Sequence, residues 1–267
     1  MRNRVFILLG LLWGLGACSP PEIKDYEQAK SEAGMGHYRS ALSSYDRVLK
    51  RAPESDSALK SAREASRIAI LEVKEYRRAA DYLQFLVLHS KDSKERTASQ
   101  KQLASLYFDQ LQNYDRAIIE FNKLLNDTES DTEKAQFKLD IARANYYQNN
   151  FFQAQSEIDE VLKLHVGENE KFAALVLKSN IYIARKEYPK AIETLKKVME
   201  TYPAKATQEN VPQTMAVCYE ESGNFLEAIK SLELARDKHS QPEYIDLRIK
   251  RLRERAKNQP GAKGLRK

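Results

Sequence analysis

The stretch from Met215 to Ala235, MAVCYEESGNFLEAIKSLELA, decides the fold. It holds two apolar patterns of helical period, separated by Gly223-Asn224, a turn signal. In the second pattern Phe225 is followed by Ala228, Leu232 and Ala235. Offsets of three, four and seven place such residues on one stripe of an α-helix. The alanine is small enough to admit a neighbouring helix, and the larger residues fill the groove beside it.

Working outward, the same pattern recurs along the chain. Tyr38, Tyr76, Tyr114, Phe151, Tyr188 and Phe225 are spaced by 38, 38, 37, 37 and 37 residues. Three residues after each stands an alanine: Ala41, Ala79, Ala117, Ala154, Ala191 and Ala228. Four further on come Tyr45, Leu83, Phe121, Ile158, Leu195 and Leu232. Seven after the alanines come Val48, Leu86, Leu124, Val161, Val198 and Ala235. Upstream of the aromatics lie further helical patterns, such as Leu103-Ala104-Leu106-Tyr107 and Phe137-Ile141-Ala142. Gly34, Gly36, Asn113, Asn149-Asn150 and Gly223-Asn224 fall at the turns, and Pro53 and Pro203 close second helices. Each copy therefore reads as helix, turn, helix. The copies run over about 22–53, 54–91, 92–129, 130–166, 167–203 and 204–241. One hairpin cannot bury its stripe alone, so the prediction is an all-α fold: an α-solenoid of about six stacked hairpins. A capping helix at 242–256 turns Ile245, Ile249 and Leu252 inward, and a disordered basic tail follows at 257–267.

These residues resemble the tetratricopeptide repeat, with Ala216, Tyr219, Gly223, Ala228, Leu232 and Ala235 in that family's places. The units are longer than the family's usual 34 residues. Arg67 stands where a small residue is expected, which lets the first helix of the second unit shift register. Val and Leu in the last column imply wider helix spacing. The resemblance implies a protein that binds other proteins or extended peptides in a concave groove lined by first helices. Counting back from each anchor alanine puts Gln102, Leu106, Asp109 and Gln110 there in the third unit. The fourth contributes Gln136, Leu139, Arg143, Tyr146 and Tyr147. The fifth contributes Val176, Asn180 and Ile183, and the sixth Gln213, Val217 and Glu220. Arg and Tyr form binding hot spots, and Asn can bond a peptide backbone. Tyr146 and Tyr147 equally fit plain packing between adjacent helices.

The start of the chain reads as an address. Met1-Arg2-Asn3-Arg4 is basic, and Val5–Gly16 is an apolar run too short for a permanent span. Leu15-Gly16-Ala17-Cys18 resembles the bacterial lipobox. That implies a signal peptide at 1–17, a covalent lipid on Cys18, and a linker through Pro21. An ordinary signal peptide with a chance cysteine, or a weak anchor helix, would read similarly. Ser19 in place of Asp points to the periplasmic face of an outer membrane, or to the outer face of the cell membrane where there is no outer membrane. Asp25–Pro53 is similar in style to the first repeat of BamD-like β-barrel assembly lipoproteins, and lipoproteins that assist pilus secretins carry similar repeats.

Composition narrows the function. The 267 residues carry Lys+Arg 44 against Asp+Glu 38, a net +6. Gly 9 and Pro 8 are too few for an all-β chain rich in tight turns, and Cys18 and Cys218 alone build no disulfide scaffold. No HExxH, GxSxG, P-loop or paired CxxC is present, so neither a catalytic role nor a cofactor or metal beyond the lipid is expected. His37, His89, His165 and His239 fall in different places along the repeats. From Arg248 onward nine basic residues face one acid. That end suits an anionic surface or cell-wall polymer, or is a solvated tail; export argues against nucleic acid. The reading is a membrane-anchored scaffold for other envelope proteins. The alternatives are a protein that binds peptidoglycan or cell wall, and a subunit of a cell-wall enzyme.

Overall fold

The computed structural model describes residues 20–236 and 241–258. These residues form α-helices and turns, with no strand among them. In order they are α1 (Pro21–Gly34), α2 (Tyr38–Arg51), α3 (Asp56–Leu71), α4 (Tyr76–His89) and α5 (Ser93–Ser105). Then come α6 (Tyr114–Asp127), α7 (Asp131–Tyr147), α8 (Phe151–Val161), α9 (Glu168–Ala184) and α10 (Tyr188–Thr201). Last are α11 (Pro203–Gln208), α12 (Val211–Glu221), α13 (Phe225–Arg236) and α14 (Pro242–Lys257). Pro203 thus follows one second helix and opens a further short one. Lys257, expected in the tail, ends α14. The leader, Cys18 and the tail beyond Asn258 lie outside the described residues, as does His239.

The chain divides into two compact units, Met1–Ser99 and Gln100–Lys267. In the first, α1 packs on α2, α2 on α3 and α3 on α4. In the second, α6 to α10 pack each on the next, α10 packs on α12, and α12, α13 and α14 follow in turn. Sequential neighbours pack because a hairpin's apolar stripe is buried only by the helices before and after it.

Six helices open on the column aromatics themselves: Tyr38, Tyr76, Tyr114, Phe151, Tyr188 and Phe225. All eighteen side chains of the alanine column and of the columns four and seven residues beyond it are at most 4% exposed. Burying a large apolar side chain contributes roughly 1.5–3 kcal/mol, so the repeated stripe supplies much of the driving force. Cys218 is fully buried, and burial pushes its thiol up to about 11.

The turns follow a rule that the glycines and asparagines reveal only in part. The residue two before each aromatic adopts a left-handed conformation: Gly36, Lys74, Gln112, Asn149, Lys186 and Gly223. In four turns it closes the preceding helix with paired backbone bonds. The Lys186 N–H donates to Ile183 O at 2.9 Å and the Glu187 N–H to Tyr182 O at 2.8 Å. Gly36, Asn149 and Gly223 begin the same arrangement. It is a common way to satisfy the last carbonyls of a helix.

The other two turns carry one extra residue. The Glu75 N–H reaches back to Ala69 O and the Asn113 N–H to Tyr107 O, both at 2.8 Å, one residue further than elsewhere. In the third unit the insertion forms a π-helical turn, Leu106–Gln110, continuing α5. A π-turn is how a helix absorbs a single added residue. This accounts for the uneven spacing. From each aromatic to the small residue of the next first helix the distance is always 28, as from Tyr76 to Ala104 or Phe151 to Ser179. From that small residue to its own aromatic it is nine for Ala29, Ala142, Ser179 and Ala216, but ten for Ser66 and Ala104. Ser66, 6% exposed, therefore fills the position at which Arg67 looked anomalous, and Arg67 turns outward.

Candidate functional site

In the second unit, the outward face of the first helices is built from the last turns of α5 and from α7, α9 and α12. The π-turn corrects the third-unit residues. Counting back from Ala117 ignores the inserted residue, so Leu106 lands in a buried column. It is 5% exposed and aligns with the buried Ala144, Ile181 and Cys218. Lys101, Ser105 and Phe108 are the true counterparts of Leu139, Arg143 and Tyr146, of which Leu139, 5% exposed, belongs to the core and not to the face. Gln102, Asp109 and Gln110 are exposed, with Asp109 the counterpart of Tyr147 rather than of Tyr146. The signal that would have found the shift is the spacing of 38 in place of 37.

On α7, Gln136 is exposed and Arg143 donates to Asp140 at 2.6 Å. Burial raises the Asp140 carboxyl above its ordinary value against the pull of Arg143, and Asp109 adds to the rise. Tyr146 packs on Phe151, ring centres 5.9 Å apart. Tyr147 stacks on Tyr114 at 5.4 Å and meets the edge of Phe108 at 5.8 Å, yet stays 56% exposed. One tyrosine serves packing; the other offers a supported aromatic surface. The π-turn brings Phe108 to Tyr147, and Gln148 reaches Asp115 at 2.7 Å alongside.

On α9, Asn180 and Ile183 are half-buried, and Ile183 leans on the core shared with α10 and α12. On α12, Gln213 donates to Asn210 Oδ1 at 2.8 Å, while its own Oε1 is buried with no hydrogen-bond partner. Glu220 is held by Arg248 and Arg255 of α14. Lys101 is tied to Glu133 at 2.7 Å. Lys101 and Arg143 are thus each matched by a carboxylate, leaving amide, hydroxyl and aromatic groups as the free chemistry of that part of the face. On the second-helix side, a cleft of about 780 Å³ runs between α9 and α10. Its Lys178 and Lys190 are paired with Asp159 and Glu187. Among the described residues no group of His, Cys, Asp and Glu side chains has the geometry to hold a metal ion, and no helix is long and apolar enough to cross a membrane.

The tetratricopeptide repeat family model matches residues 26–62 and 139–206. No curated protein matches the chain. Among solved structures, the apo form of RapI superposes with a TM-score of 0.60 at 15% identity, covering 90% of this chain and 73% of that one. PilW, a type IV pilus biogenesis factor, gives 0.53 at 13% identity over 85% of this chain and 99% of its own. A tetratricopeptide repeat protein from Parabacteroides merdae gives 0.52 at 16% identity over 91% and 96%. These likenesses are of fold.

Proposed function

Because the chain is built of tetratricopeptide repeats, a fold of protein–protein interaction scaffolds, we propose that it is a membrane-anchored scaffold of the cell envelope. It presents its first-helix face to partner proteins or extended peptides. The observation that carries this reading is the contrast between a rigid base and an open surface. The helices are locked by side chains removed from water, while Gln136, Arg143, Tyr147 and Asn180 stand on the outward face. A preorganised face pays little ordering entropy when it captures a flexible segment. The reading is of binding, not catalysis.

Anchoring rests on the lipobox-like Leu15-Gly16-Ala17-Cys18. Two or more acyl chains on Cys18 would hold the protein stably at a membrane surface. Ser19 favours the periplasmic face of an outer membrane. Within this class, β-barrel assembly of the BamD type is suggested by Asp25–Pro53, and the fold shared with PilW admits a role in pilus biogenesis. The basic tail would add a contact with an anionic surface or cell-wall polymer.

A photo-crosslinking residue at Gln136 or Asn180 in intact cells tests the face. Adducts from these positions and none from Gln153 on α8 are expected; equal yields would refute it. Cys18→Ala should leave unprocessed precursor, and normal membrane attachment of that variant would sink the anchor.

A further inference from the structure

The last helix has two working stripes. Ile245, Ile249 and Leu252 are buried against α13 and α12. A second stripe, Tyr244, Arg248, Arg251 and Arg255, advances by four, three and four residues and so shares one edge of α14. Glu220 of α12 forms ion pairs with both Arg248, at 3.6 Å, and Arg255, and accepts a hydrogen bond from Arg255. Arg255 also lies over the Phe225 ring, 4.5 Å from its centre, which fixes its plane. Arg251 is exposed and makes no ion pair among the described residues. Three guanidiniums against one carboxylate leave two positive charges on this edge. Val217, 39% exposed, and Tyr244, 52% exposed, offer apolar surface nearby.

We propose that this edge is a docking subsite for an acidic segment of a partner polypeptide, with Glu220 acting as an internal stand-in for the partner's carboxylate. The inference rests on the reading of the first-helix face as the binding surface and adds what its α12 end recognises. Glu220 shows that two of the guanidiniums already close on a carboxylate, the group that their planar fork fits best. Arg251 stands on the same stripe between Arg248 and Arg255, so a second carboxylate finds an unmatched cation beside the first. The apolar surface at Val217 and Tyr244 suits a segment that alternates acidic and apolar residues.

Fluorescence anisotropy with a labelled glutamate-rich peptide and its glutamine counterpart tests this. The protein should prefer the glutamate peptide, less so as salt rises. Arg251→Glu, at an exposed position that leaves the fold intact, should weaken that binding about tenfold, the effect of roughly one lost charge contact and one repulsion. Glu220→Gln frees two arginines from their internal competitor and should strengthen it. Lys197→Ala on α10, an exposed cation on the second-helix side, should leave the preference for glutamate in place. Equal binding of both peptides, no gain with Glu220→Gln, or Arg251-dependent binding only to phosphatidylglycerol vesicles would each overturn the subsite. Loss of the glutamate preference with crosslinks at Gln136 and Asn180 intact would sink the subsite alone. Absence of those crosslinks would sink the broader reading.

Discussion

Lys186→Gly should stabilise the protein, although it deletes a side chain. Lys186 is exposed and sits at φ 59°, where its Cβ crowds the backbone. A side chain in that region costs about 1–2 kcal/mol relative to glycine. Glycine returns part of this through its larger unfolded-state entropy, about 0.5–1 kcal/mol. The net gain is about 0.5–1 kcal/mol, or a few degrees in Tm for a chain of this length. Gln112 at φ 48° and Lys74 at φ 56° occupy the same turn position. Gln112→Gly and Lys186→Gly lie in separate turns of one unit and should add, giving about 1–2 kcal/mol together. The reverse control is Gly36→Ala. Its φ is 77° and an added Cβ would meet nothing within 4 Å, so any loss comes from the backbone alone. Urea midpoints of the purified variants measure both directions. If Lys186→Gly is neutral or harmful while Gly36→Ala costs nothing, the turn rule is wrong.

Two further outcomes are expected. Ala154→Glu should destabilise by about 3–5 kcal/mol, because Ala154 is fully buried among Ala142, Ile158 and Ile181 and a carboxylate there has no partner; an unchanged Tm would refute the helix register. The Arg63 guanidinium holds the Glu95 carboxyl below its ordinary value, against the opposing effect of burial. A depressed folded value stabilises above the ordinary carboxylate pKa of about 4.3 and is lost as pH falls through the folded value. Glu95→Gln should therefore be less stable than the parent at neutral pH, with the gap closing in acid. A gap that stays constant with pH would contradict the pairing.

The stripe of alanine and larger apolar residues is legible because its period is local: each column lies within three helical turns of its aromatic. The third-unit face was misplaced for the same reason. A count from Ala117 assumes a regular helix, and nothing in Leu106–Gln110 by itself announces a π-turn. Lys74, Gln112 and Lys186 carry no turn signal in the sequence because lysine and glutamine have no preference for positive φ; the packing of two helices forces it on them. Whether Tyr146 and Tyr147 pack or present a binding surface is decided only by their neighbours, Phe151 for one and Tyr114 with Phe108 for the other.

The sequence by itself determined that this is a chain of helical hairpins, and where each second helix begins, because side-chain periodicity and burial are properties of single segments. Tertiary structure alone decided where the added residue of the second and third units is absorbed, which tyrosine faces water, and that Glu220 on α12 meets two arginines of α14. Those outcomes depend on which atoms of distant segments come within a few ångströms, and hydrogen bonds and ion pairs form only at that range.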